Sequence, residues 1–166
     1  MKTLYIVRHA KSSWDYPDLP DHDRPLLEKG KKRTKKIIDF LLENKVRVDY
    51  IISSSAERAL ETAKFLARAM NYPIEDIKVH PQVYHADVAK LEDQFYDLSD
   101  QFQSLMIVGH NPTFTNFANE FLENKIDWLP TSGIVCIEFD TNYWEKIFDV
   151  KSKTRFIIYP KMLKKS

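Results

Sequence analysis

Short apolar runs and longer stretches with helical spacing alternate along this chain. Leu4-Tyr5-Ile6-Val7 is continuous, apolar and bounded by charge, which predicts a buried strand over about residues 3–8. Tyr50-Ile51-Ile52 centres a second strand at 48–53, Ile77-Lys78-Val79 a short third, and Leu105-Met106-Ile107-Val108 a fourth. Residues 28–44 carry Ile37, Ile38, Leu41 and Leu42 on one side, and residues 56–70 carry Ala59, Ala63, Phe65, Leu66 and Ala69. Both read as amphipathic helices, the second ended by Asn71-Tyr72-Pro73. Residues 90–102 predict another helix, with a weak point at Asp97-Leu98-Ser99-Asp100. Pro112 suits the first turn of a helix running to about Leu122. Residues 134–139, 146–150 and 155–159 predict closing strands arranged as a hairpin.

Strands that alternate with helices predict an α/β fold. The expectation is one three-layer domain over residues 1–160, a mainly parallel sheet with helices on both faces and a closing C-terminal hairpin. A basic tail at 161–166 is expected to be mobile. The connection between the first strand and the first helix, residues 10–26, is about 17 residues against a usual median of about 4–6. It carries Pro17, Pro20 and Pro25, and its length predicts a functional, lid-like role.

Composition narrows the function classes. A chain of 166 residues is long enough for one full core. A net charge of +1 argues against a dedicated nucleic-acid binder. No stretch approaches the roughly 18 apolar residues of a membrane span. With a strand starting near residue 4, no secretory leader is expected, and the expected location is cytoplasmic. The single cysteine, Cys136 in Ile134-Val135-Cys136-Ile137, allows no internal disulfide and reads as a core residue. Gly30, Gly109 and Gly133 stand too far apart for any glycine-rich phosphate loop. A phosphate would have to be held by side chains. The run Lys29, Lys31, Lys32, Arg33, Lys35 and Lys36 reads as a solvated helix face or as a surface for an acidic protein partner.

The candidate chemistry sits where apolar runs stop. Arg8-His9 follows the first strand, and Gly109-His110-Asn111-Pro112 follows the fourth. Ligands of open α/β sheets bind off the carboxyl ends of strands. A histidine there can attack phosphorus, and an arginine can hold phosphate oxygens in a fork. Arg58 falls in the first turn of the second helix, where a cation opposes the helix dipole. It pairs either with Glu57 or Glu61 or with a phosphate at the helix N-terminus. Among His9, His22, His80, His85 and His110 no metal-binding spacing occurs, and Gly-x-Ser-x-Gly is absent.

Three motifs together resemble the histidine phosphatase (phosphoglycerate-mutase-like) superfamily. They are Leu4-Tyr5-Ile6-Val7-Arg8-His9-Ala10, Ser54-x-x-x-Arg58-Ala59-x-Glu61-Thr62-Ala63 and Val108-Gly109-His110-Asn111-Pro112. Lys11-Ser12-Ser13-Trp14, Asp23-Arg24-Pro25-Leu26 and the short length resemble the small bacterial phosphohistidine phosphatase branch. The resemblance implies that His9 attacks phosphorus and becomes a phosphohistidine that water hydrolyses. It implies that Arg8, Arg58 and His110 hold the phosphoryl oxygens, with no metal and no cofactor. Leu27 replaces a capping residue, which removes about 1 kcal/mol of helix stabilisation. Lys11 stands where phosphoglycerate mutases carry an acid. In Val83-Tyr84-His85-Ala86-Asp87, His85 and Asp87 are both candidate proton donors or ordinary surface residues. The expected substrate is phosphohistidine on a protein such as a histidine phosphotransfer domain. The alternatives are a small phosphoester metabolite or a binding module without turnover.

Overall fold

The computed structural model describes residues 1–163. Six strands form one sheet in the order β3-β2-β4-β1-β5-β6. They are β1 (Lys2–Arg8), β2 (Tyr50–Ser54), β3 (Lys78–His80), β4 (Ser104–Gly109), β5 (Ile134–Phe139) and β6 (Ser152–Ile158). β1, β2, β3 and β4 run parallel, while β5 is antiparallel to β1 and pairs with β6 as the closing hairpin. Alternation along each strand divides the core. Leu4 and Ile6 of β1, with Leu105 and Ile107 of β4, face α4 (Val88–Asp93) and α5 (Thr113–Asn119). Tyr5 and Val7, with Met106 and Val108, face α1 (Glu28–Glu43) and α2 (Glu57–Ala69). The three-layer α/β expectation holds, and no helix among the described residues is long and apolar enough to cross a membrane.

Several boundaries differ from expectation. Residues 146–150 form no strand. Trp144–Lys146 is a turn of 3₁₀ helix, and Trp144 and Ile147 are buried at the end of one core layer. Trp144 Nε1–H donates to the Phe102 carbonyl at 2.9 Å, which anchors the segment as a plug rather than a sheet extension. The helix expected over 90–102 is instead α4, ending at Asp93. Its N-cap is Asp87, whose Oδ1 accepts from the Lys90 amide at 2.8 Å. After it the chain turns, burying Phe95 against Phe117 and Trp144. α5 is also shorter than expected, because Asn119 binds both the amide and the carbonyl of Ile126 and turns the chain back. A further short helix, α3 (Pro81–Tyr84), follows β3. Leu27 is the N-cap of α1 and makes no side-chain cap bond. In the tail, Pro160–Met162 is a 3₁₀ turn and Leu163 packs on the α1–α2 layer. The expected mobile segment beyond it, 164–166, lies outside the described residues.

Candidate active site

Strand register brings the two histidines together. Arg8 of β1 lies opposite Gly109 of β4, so the next residues, His9 and His110, leave the sheet side by side. Their ring centroids are 5.1 Å apart. Gly109 allows this close descent, since a Cβ there would collide with the Phe114 ring. On the other side of β4, β2 ends at Ser54 and leads into α2, which carries Arg58 in its first turn. Arg8, His9, Arg58 and His110 all line one cavity of about 510 Å³. Lys11, Arg24 and Asn111 line it too, and the exposed Trp14 and Trp128 stand at its mouth.

The backbone around His9 is tied from three directions. The Ala10 amide donates to Thr62 Oγ1 of α2 at 2.9 Å. The Ser132 amide donates to the carbonyls of Arg8 and His9. The Lys11 carbonyl accepts from Leu27 and packs so closely on Gly30 of α1 that no side chain fits between them. His9 itself is 7% exposed. Its Nδ1 lies 2.7 Å from the Ala10 carbonyl, an acceptor, so Nδ1 carries the proton and Nε2 keeps its lone pair. Burial, reinforced by Arg58, Arg8 and Arg24, pushes its pKa down to about 3 despite that hydrogen bond. The ring is neutral at pH 7.

Three buried polar atoms have no hydrogen-bond partner among the described residues: Arg8 Nε, Arg58 Nε and His110 Nδ1. Such atoms are costly unless something fills their capacity. All three belong to residues lining the cavity. The Arg8 guanidinium hydrogen-bonds only the Leu129 carbonyl, at 3.2 Å, and forms no ion pair among the described residues. Burial and the Arg58 charge both lower its pKa. Donors from two guanidinium groups and one imidazole are the chemistry that holds a tetrahedral oxyanion. No group of three or more His, Cys, Asp or Glu that could hold a metal occurs among the described residues.

Arg58 does not pair with Glu57 or Glu61. Its Nη2 donates to Asp21 Oδ2 at 3.0 Å and its Nη1 to the Asp21 carbonyl at 2.7 Å. Glu61 instead accepts from the Leu26 amide. Asp21 also accepts from Arg24 at 3.0 Å and from the Tyr84 hydroxyl at 2.5 Å. Burial disfavours its charge, but Tyr84, Arg58 and Arg24 outweigh burial and hold its pKa near 2. Asp21 is therefore ionised and orients Arg58. The long connection over 10–26 thus supplies working parts of the site: Asp21, and Arg24 stacked 3.5 Å from the Trp14 ring centroid. Sequence reasoning missed Asp21. The loop's unusual length was its only signal.

His85 and Asp87 do not line the cavity. His85 is exposed with its ring 4.2 Å from that of Tyr84, and Asp87 is exposed and occupied as the cap of α4. Among the described residues, the one carboxylate lining the cavity is Asp15, which is exposed.

A family model described as the histidine phosphatase superfamily (branch 1) matches residues 4–124. An uncharacterised chloroplastic protein of Arabidopsis thaliana is 28% identical over 158 residues, 89% of this chain and 71% of that protein. SixA from Agrobacterium tumefaciens superposes with a TM-score of 0.81 at 27% identity, covering 96% of this chain and 98% of that one. The protein histidine phosphatase SixA in complex with tungstate superposes at 0.82 with 21% identity, covering 98% and 99%. The matched span includes all three strand ends that build the cavity, and the chain belongs to the histidine phosphatase superfamily.

Proposed function

We propose that this protein hydrolyses phosphohistidine on a protein substrate through a phosphorylated His9. The observation that carries the reading is a neutral, tautomerically fixed nucleophile in a cationic cradle where the exposed Asp15 is the one lining carboxylate among the described residues. In the first step, His9 Nε2 attacks phosphorus along the line of the substrate's P–N bond. That bond breaks, and its electron pair leaves with the substrate imidazole, which takes a proton from solvent. In the second step, water attacks phosphorus and the pair returns to Nε2, releasing inorganic phosphate. Arg8, Arg58 and His110 offset the charge on the equatorial oxygens throughout.

The leaving group decides the substrate class. Imidazole takes a proton with a pKa of roughly 6.5 and departs as a neutral base near pH 7. An alkoxide is far more basic and requires an acid in place as the bond breaks. Exposed Trp14 and Trp128 at the mouth offer apolar surface suited to a polypeptide. The test is to incubate the protein with a chemically phosphorylated histidine phosphotransfer domain. Quenched samples are mapped for phosphate on His9, and turnover is compared with sugar and glycerate phosphates. A His9 adduct and faster turnover of the phosphoprotein support the reading. A bound but never transferred phosphate, or a sugar phosphate as the best substrate, overturns it.

A further inference from the structure

Lys31 of the basic run in α1 pairs with Glu28 at 3.2 Å, and the other five residues divide into two groups. Lys29, Lys32 and Lys35 are exposed, while Arg33 and Lys36, one turn apart, are half-buried along a second groove. Tyr159, Lys161, Pro130 and Thr131 line it as well. The groove has a volume of about 570 Å³. Thr131 lines both this groove and the active-site cavity, so the two share a wall. Ser132, the next residue, holds that wall in place. Its amide donates to the carbonyls of Arg8 and His9, and its Oγ lies 2.8 Å from Thr34 Oγ1 of α1. The helix bearing Arg33 and Lys36 is thereby tied to the strand end bearing the nucleophile.

Among the described residues the groove gathers charge of one sign. Its lining among the described residues includes three cations, two from α1 and one from the segment after β6, and no carboxylate. Arg33, Lys36 and Lys161 form no ion pair among the described residues. In a chain of net charge +1, this is a local asymmetry rather than a general one. Like charges gathered in a groove raise the local potential and attract an anion.

We propose that this groove receives acidic side chains of the phosphoprotein substrate while its phosphohistidine lies over His9. The proposal rests on the phosphatase reading above and names a specificity surface for it. A polypeptide is long enough to cross the Pro130–Thr131 wall and occupy both sites at once. Solvent-accessible charges of this kind act mainly on encounter and register, and salt weakens them.

The test uses two synthetic phosphohistidine peptides that differ only in whether glutamates or serines flank the histidine, with p-nitrophenyl phosphate as a small substrate. Wild type is compared with the Arg33→Glu/Lys36→Glu/Lys161→Glu variant, whose fold is checked by circular dichroism. Wild type is expected to favour the glutamate peptide in kcat/KM by roughly five- to tenfold at low salt. The variant should lose that preference and keep its p-nitrophenyl phosphate activity. Equal turnover of both peptides by wild type overturns the proposal, as does an equal loss on all three substrates. A bisphosphorylated sugar that alone responds to charge reversal would make the groove a small-molecule subsite instead. If neither peptide is turned over, the phosphohistidine reading fails, and the groove is judged by binding. Fluorescence anisotropy of the unphosphorylated glutamate peptide should then show salt-sensitive binding that the variant lacks. No such binding refutes the groove.

Discussion

Ser54 Oγ lies 2.7 Å from His110 Nε2 and also accepts the Ala56 amide at 3.2 Å. Nε2 is the one acceptor that the Ser54 hydroxyl proton meets among the described residues, and donation to it places the His110 ring proton on Nδ1. Nδ1 is the buried atom left without a partner among the described residues. A serine at the end of β2 thus makes a histidine at the end of β4 into a donor facing the cradle. Ser54→Ala is expected to lower kcat/KM about tenfold, near the upper end of the net worth of one buried hydrogen bond. Ser54→Thr should retain most activity. Nitrogen NMR of the imidazoles reads the tautomer directly, and an unchanged Nδ1–H form in Ser54→Ala would refute this role.

His9→Ala is expected to abolish turnover with the fold intact, since no neighbouring group replaces the attacking nitrogen. Arg58→Ala should cost about 2.7–4 kcal/mol of transition-state stabilisation, a loss of roughly 10²–10³ in kcat. Steady-state kinetics beside thermal melts separate chemistry from folding. Near-normal turnover by the His9 variant would exclude it as nucleophile.

Acid stability carries the signature of two neutral buried histidines. Burial first, then neighbouring groups (Arg58 and Arg8 for His9; the His9 ring, Arg58 and Arg8 for His110), lowers both pKa values to about 3. In the unfolded chain each binds a proton as pH falls through about 6.5. Below that point the unfolded state holds more protons, so stability falls with pH until the folded rings titrate near 3. The slope is at most about 1.4 kcal/mol per pH unit for each histidine. Urea unfolding across this window should show the decline, and His9→Gln should flatten it. A stability that stays level or rises toward acid would contradict the protonation states assigned to the site.

Leaving-group dependence and inhibition complete the picture. Turnover should follow the order phosphohistidine, aryl phosphate, alkyl phosphate. His85→Ala and Asp87→Ala should leave that order unchanged, because neither residue lines the cavity. Vanadate and tungstate should inhibit by occupying the oxyanion cradle, and chelators should have no effect. Activity lost to a chelator and restored by one divalent metal would require a different mechanism.

Local patterns determined much of this protein. Continuous apolar runs and helical spacing located the six strands and the two long helices, because side-chain period is a property of neighbouring residues. Arg8, His9, Arg58 and His110 were legible for the same reason, each sitting just beyond such a run. Residues 146–150 were not, since an apolar segment that plugs the end of a core layer has the composition of a strand. The pairing of Asp21 with Arg58 and of Ser54 with His110 was also out of reach. Those contacts span 37 and 56 positions, and they exist only because the β1–β4 and β2–β4 registers align three strand ends. Register depends on packing both faces of the sheet at once, which no local window of sequence contains. The same packing set Arg33 and Lys36 beside Lys161 and turned a basic run into one wall of a groove.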